Sequence, residues 1–212
     1  MIQLLFNGQV LLFAIIIVAI IFSLTLHEFG HACSAKLLGD DTAQRMGRLT
    51  LNPVPHIDPV GLLMVVIVGF GWAKPVPINP RNMRIPWAGA AVALAGPLMN
   101  LLLAFIAINL YAWGVKTGSF TLTESSVLAL SILAQINLLL MLFNLIPLGP
   151  LDGHYILSWL LPRNLGLRYD YFNDRYGSYV FLALILLSFV GVPIFTLLMS
   201  FSSALIPLIM LV

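Results

Sequence analysis

Charge is scarce in this chain. Of its 212 residues only 8% are Asp, Glu, Lys or Arg, while 60% are hydrophobic; soluble domains carry roughly a quarter charged residues. That deficit excludes an ordinary soluble domain and points to an integral membrane protein. Cysteine is nearly absent too. Cys33 stands alone, so no internal disulfide can form, and it reads as a small buried residue near enough to the motif described below for a minor part there. The net charge of +2 is too small to suggest a nucleic-acid partner. Repeats, low-complexity tracts and long linkers are missing, so residues 1–212 are expected to form a single integral-membrane domain. The first apolar stretch has no basic leader and no small-residue cleavage site, and is expected to stay as a span.

The apolar runs set the architecture. They predict spans at about 10–33, 87–113, 126–147 and 178–212, the last interrupted at Gly191-Val192-Pro193. As one straight helix that last tract would exceed about 50 Å, so it is either a span with an interfacial extension or a tight hairpin. Val60 to Phe70 is apolar but only about 17 Å long as a helix, against a hydrocarbon thickness of about 30 Å. It therefore reads as re-entrant over 60–71. Pro53, Pro55 and Pro59 before it, and the proline-broken stretch from Trp72 to Pro86 after it, forbid regular helix on both sides. The expected fold class is all-α: a polytopic transmembrane protein with a re-entrant or irregular segment between its first two core helices. Lys36, Arg45, Arg48, Lys74, Arg81, Arg84, Arg163, Arg168 and Arg175 then share one side, with only Lys116 opposite. The positive-inside rule makes that side cytoplasmic, and puts the C-terminal ends of the first and third spans at one level.

One of those ends carries His27-Glu28-Phe29-Gly30-His31. Histidines four apart lie about 40° apart around a helix, so both imidazoles reach one metal ion while the intervening Glu28 faces the open coordination position. This is the pattern of a zinc hydrolase. Asp152 follows the other end, in a segment where Pro147, Gly149, Pro150 and Gly153 let backbone bend toward a site. An acidic residue at the edge of the hydrocarbon is costly without a cation or water, which makes Asp152 a candidate third ligand. The competing reading is a carboxylate hydrated in a loop. Asn100 and Asn144 are either interhelical glue or groups that orient a ligand or contact substrate backbone. Asn79 and Pro80 belong to the irregular stretches expected to frame a wet cavity and hold an unwound substrate strand. His56 and Asp58 allow a second metal site, although a solvated loop is the expected setting; His154 is expected to pack.

Together these residues resemble the site-2 protease family of intramembrane zinc metalloproteases. The likeness rests on His27 to His31, on Gly96-Pro97-Leu98-Met99-Asn100, and on Asn144 to Gly153 with its Leu151-Asp152-Gly153. Phe70 to Pro77 between the first two motifs looks like the compact prokaryotic branch, while His154 stands where many relatives have glycine. The resemblance implies that His27, His31 and Asp152 bind one Zn2+ per chain, with Glu28 as general base. It also implies hydrolysis of peptide bonds within or near transmembrane segments of protein substrates. The implied location is the lipid bilayer of a prokaryotic cell membrane, with the active site toward the cytoplasm. A different class stays open, a membrane metal-binding protein or divalent-metal transporter without peptidase activity. Glu28→Gln separates the two, since a protease so altered keeps zinc and loses hydrolysis.

Overall fold

The computed structural model describes residues 1–118 and 124–211. Val212, the far end of the last apolar tract, lies outside the described residues. The described chain is all-α: α1 (Ile2–Phe6), α2 (Val10–Leu37), α3 (Thr42–Arg45), α4 (Pro59–Val68), α5 (Ala88–Thr117), α6 (Glu124–Asn144), α7 (Gly153–Leu160), α8 (Arg163–Phe172), α9 (Ser178–Phe189) and α10 (Ile194–Ile209). Among the described residues the only β-type pairing is an isolated antiparallel bridge between Ile57 and Ala73. Helices α2, α5 and α6 are each long and apolar enough to cross a membrane. A fourth candidate runs from α8 through a π turn, Asn173–Gly177, into α9 and then bends by 90° to α10. The expected all-α polytopic architecture is what forms.

Helices in lipid gain little from hydrophobic burial against one another, so close approach and polar contacts hold them together. Here α5 presents a stripe of alanines. Ala104 and Ala107 are completely or almost completely buried against Leu138, Met141 and Ala134 of α6. Leu205, Ile206 and Ile209 of α10 close the same cluster from outside. Gln135 of α6 donates to Ser202, and Asn109 Nδ2 of α5 donates to the Ile209 carbonyl at 2.8 Å. The break at Gly191 to Pro193 thus folds the C-terminal helix back onto the core.

The short segment between α2 and α5 is a helix with an extended return. Asp58 caps α4 by accepting from Val60 N and Gly61 N, both at 2.9 Å, with Pro59 in the first turn. Gly69 then turns the chain at φ +87°. Gly61 and Gly71 lie so close that a Cβ on either would collide with backbone carbonyl oxygen, of Trp72 and of Gly61 respectively. Phe70 at the tip packs among Phe143, Phe181 and Phe195, with ring centroids 5.6 to 6.4 Å away. The return strand is pinned by Lys74 N donating to His56 O at 2.8 Å.

Two features differ from the sequence reading. Residues 163–175 fall between the spans expected at 126–147 and 178–212, yet they are helical and continuous with α9. Their exposed Leu165, Leu167, Tyr171 and Phe172 stand among Arg163, Arg168 and Asp170, a mixture that apolar run length does not detect. The third span ends at Asn144, short of residue 147, because Pro147 lacks the amide hydrogen that a further turn would use.

Candidate metal centre

His27 and His31 lie in the C-terminal half of α2, on the face that α5 covers, and both are buried. Asp152 reaches them from the turn between α6 and α7. Its Oδ2 lies 3.2 Å from His27 Nε2 and 3.4 Å from His31 Nε2, and the two Nε2 atoms are 3.0 Å apart. Each imidazole has its other nitrogen engaged. His27 Nδ1 donates to Asn100 Oδ1 at 2.6 Å, and His31 Nδ1 donates to the Val92 carbonyl at 2.7 Å. Neither oxygen can donate, so the protons sit on Nδ1 and both Nε2 lone pairs face Asp152.

Two lone pairs and a carboxylate oxygen pointed at one spot repel unless a cation lies between them. The chemistry of the set therefore fits a metal ion, and the spacing fits zinc. Tetrahedral bonds of about 2.0–2.2 Å place neighbouring donors about 3.3–3.5 Å apart, close to what the three atoms show. Asp152 Oδ2 is moreover buried with no hydrogen-bond donor aligned to it, the signature of an oxygen reserved for another partner. The cradle is completed by Gly96 of α5. A Cβ there would stand 2.6 Å from Cε1 of both imidazoles and closer still to His31 Nε2. No other group of three or more His, Cys, Asp or Glu side chains among the described residues converges in this way.

Glu28 is buried beside the pair, and its Oε2 accepts from Val76 N at 3.0 Å. Val76 belongs to an extended stretch held by Arg48, whose guanidinium donates to Pro75 O at 2.9 Å and to Lys74 O. Burial pushes the Arg48 pKa below its ordinary value, and the charge of Glu28 opposes that shift. In the sequence Arg48 reads only as a topology charge. His56 also departs from its expected solvated setting: it is buried, donates from Nε2 to Thr50 O at 2.9 Å, and turns Nδ1 toward Arg48 at 3.5 Å. Asp58 is the α4 cap, so neither residue builds a second metal group.

The remaining candidates fall in different places. Asn100 touches His27 directly, whereas Asn144 donates to Leu140 O within its own helix at 3.0 Å. Asn79 caps the turn at Pro80–Asn82, and its backbone N–H donates to Asp40 Oδ2 at 2.6 Å. His154 is buried and donates from Nδ1 to Leu151 O at 2.8 Å, consistent with packing. Cys33 is partly buried. Behind Asp152 the turn is clasped by the C-terminal helices: Tyr169 donates to Pro147 O at 2.6 Å, and Asn173 Oδ1 accepts from Gly149 N at 2.7 Å. Sequence reasoning missed Asn137, which binds Asn100. Its signal was available, because with Gln135 it is one of two amides inside an otherwise apolar stretch of α6. An apolar groove of about 240 Å³ runs beside α2, lined by Val18, Ile21, Phe22, Thr25, Leu51 and Pro53.

Against known proteins, the chain is 42% identical over 174 residues to "Putative zinc metalloprotease YwhC" of Bacillus subtilis, covering 80% of this chain and 78% of that protein. It is 32% identical over 153 residues to "Putative zinc metalloprotease Rip2" of Mycolicibacterium smegmatis, covering 67% of this chain and 55% of Rip2, so it spans about half the length of that relative. A third similar protein, MJ0611 of Methanocaldococcus jannaschii, carries the same zinc metalloprotease description, at 28% identity over 154 residues and 74% of its length. No family profile matches the chain, and no solved structure does.

Proposed function

From its membership of the zinc metalloprotease family that includes YwhC, we propose that this chain is an intramembrane zinc endopeptidase of the site-2 protease kind. It hydrolyses peptide bonds within or near transmembrane segments of other membrane proteins, as in regulated intramembrane proteolysis. His27, His31 and Asp152 hold one zinc ion per chain, and Glu28 is the general base. The observation that carries the reading is the convergence of two Nε2 lone pairs and one buried carboxylate oxygen on a single point, with Glu28 next to them in sequence.

Zinc, when bound, supplies Lewis acidity for the scissile carbonyl and brings water toward a reactive pKa. Glu28 does the proton work. With Oε2 tied to Val76 N, its Oε1 is left to accept the proton of the attacking water and deliver it to the leaving amine. Burial keeps bulk solvent from competing for that carboxylate. Within the extended stretch from Trp72 to Asn79, the N–H groups of Lys74, Val76 and Asn79 are already engaged and Pro75 and Pro77 have none, so the Ala73 and Ile78 amides are the ones placed to pair with a substrate strand once its helix has opened. Asn79 and Pro80 hold the far end of that stretch. The nine basic residues on one side orient the site toward the cytoplasm of a prokaryotic cell membrane.

The test uses wild-type, Glu28→Gln and Asp152→Ala forms purified in detergent, with metal content and cleavage of a generic transmembrane substrate measured together. Glu28→Gln is expected to retain zinc and lose hydrolysis by at least about 10²-fold, the usual scale of general acid–base catalysis. Asp152→Ala is expected to lose both. Hydrolysis persisting in Glu28→Gln would reject the catalytic assignment, and zinc passage across vesicles without hydrolysis would favour a transporter.

A further inference from the structure

Behind His27 lies a chain of polar side chains sealed from solvent. Ser23, Asn100 and Asn137 are each at 0% exposure, and they come from α2, α5 and α6 respectively. The direction of every hydrogen bond in it can be deduced. Ser23 Oγ donates its one proton to Ala19 O at 2.6 Å, so it can only accept from Asn137 Nδ2 at 2.8 Å. The second Asn137 amide hydrogen goes to Leu133 O at 2.8 Å. Asn137 Oδ1 is then the end that accepts from Asn100 Nδ2 at 2.8 Å, while Ser23 O lies 3.4 Å from the same nitrogen. Asn100 is left with Oδ1 toward His27 Nδ1. Each bond in the series fixes the sense of the next.

We propose that Ser23 and Asn137 are positioning residues of the metal site: they set the Asn100 amide and, through it, the ring orientation and tautomer of His27. The inference rests on the reading of His27 as a zinc ligand. If the Asn100 amide turned over, its NH2 would meet Nδ1, the imidazole proton would move to Nε2, and the lone pair would be lost to the site. Water cannot repair the error, because no member of the chain is exposed. Partners of this kind raise ligand basicity and hold the ring in place, and their removal typically weakens metal binding by about 10–100-fold. The plainer role, gluing helices together, has its own example in the same helix. Asn109 binds Ile209 O and receives Leu211 N at 2.7 Å, joining α5 to α10 without touching an imidazole.

The experiment measures zinc affinity by chelator competition, and the visible spectrum of the cobalt-substituted protein, on the full chain in detergent. Asn137→Leu is expected to weaken zinc binding by about tenfold or more, and Ser23→Ala by a smaller factor. Both should shift the cobalt bands with one ion still bound. Asn109→Leu should lower Tm and leave zinc affinity unchanged. Wild-type affinity in both Asn137→Leu and Ser23→Ala, beside a His27→Ala form that has lost zinc, overturns the positioning role. Equal weakening by Asn109→Leu overturns it as well. A His27→Ala form that keeps zinc at wild-type affinity instead overturns the ligand reading beneath it. Should Asn137→Leu fail to accumulate, Ser23→Ala decides alone, unchanged affinity and spectrum counting against the proposal.

Discussion

His27 and Glu28 are neighbours in the chain, yet they are supported by unlike material. His27 and His31 rest on helices: their Nδ1 partners, Asn100 Oδ1 and Val92 O, both belong to α5, and Asn137 and Ser23 behind Asn100 belong to α6 and α2. Glu28 rests on irregular backbone, the Val76 amide in a stretch whose carbonyls are gripped by Arg48. A helix fixes its groups through its own backbone ladder, whereas an extended stretch must be fixed from outside. On the proposed reading, metal retention and hydrolysis are therefore separately breakable, by substitutions that replace neither a ligand nor the base.

The most damaging such change lies on the helical side. Gly96→Ala inserts a methyl group against both imidazoles, and is expected to bring zinc content to background while the helical far-UV spectrum persists. Overpacking of this kind costs about 1–3 kcal/mol where neighbours can shift, and here the neighbours are the donors themselves. Normal zinc content in Gly96→Ala would erase the contrast. On the other side, Arg48→Met removes the grip on Lys74 and Pro75 and should lower kcat by about 10–100-fold, the equivalent of about one charged hydrogen bond, at unchanged zinc content. Replacing Asn79 and Pro80 with alanines should act in the same direction, impairing cleavage more than zinc retention. Loss of zinc in Arg48→Met would show that the two halves are coupled.

The smallest effect concerns Asp40, which anchors the far end of the extended stretch. Burial opposes its ionisation, but bonds from Thr42, Asn79 and Asn82 prevail and hold its carboxyl below the usual carboxylate range. A lowered folded value means that its stabilisation is fully present above the unfolded pKa, about 4, and is lost as pH falls below that. The Tm gap between wild type and Asp40→Asn should thus be a few degrees, about 2–4 °C per kcal/mol, constant from pH 5 to 8, and closing on further acidification. A gap that widens in acid would contradict the assigned sign.

The helices that carry the site were legible because run length and breaker residues report them directly. Val10 and Ala88 are where apolar composition says the first two spans begin, whereas the third stops at Asn144, earlier than its apolar run implies. The donors were legible for a related reason: ionisable groups at membrane depth are expensive, so the few present stand out. Arg48 and His56 were not, since their burial depends on where the carbonyls of Lys74, Pro75 and Thr50 come to lie, and no local pattern encodes that. Asn144 drew attention through its nearness to Asp152 in sequence, whereas Asn137, about two helical turns earlier, holds the contact with Asn100. Helix α8 was hidden by its polarity, because Arg163, Arg168 and Asp170 stand among its apolar and aromatic residues and leave no long apolar run.

The clasp on the Pro147 to Gly149 turn bears on how this molecule can be dissected. Tyr169 and Asn173 reach it from beyond the three longest helices. A fragment cut just after Asp152 would keep every donor atom and discard the fastener that aims one of them, so the shortest working version of this fold has to extend through the π turn.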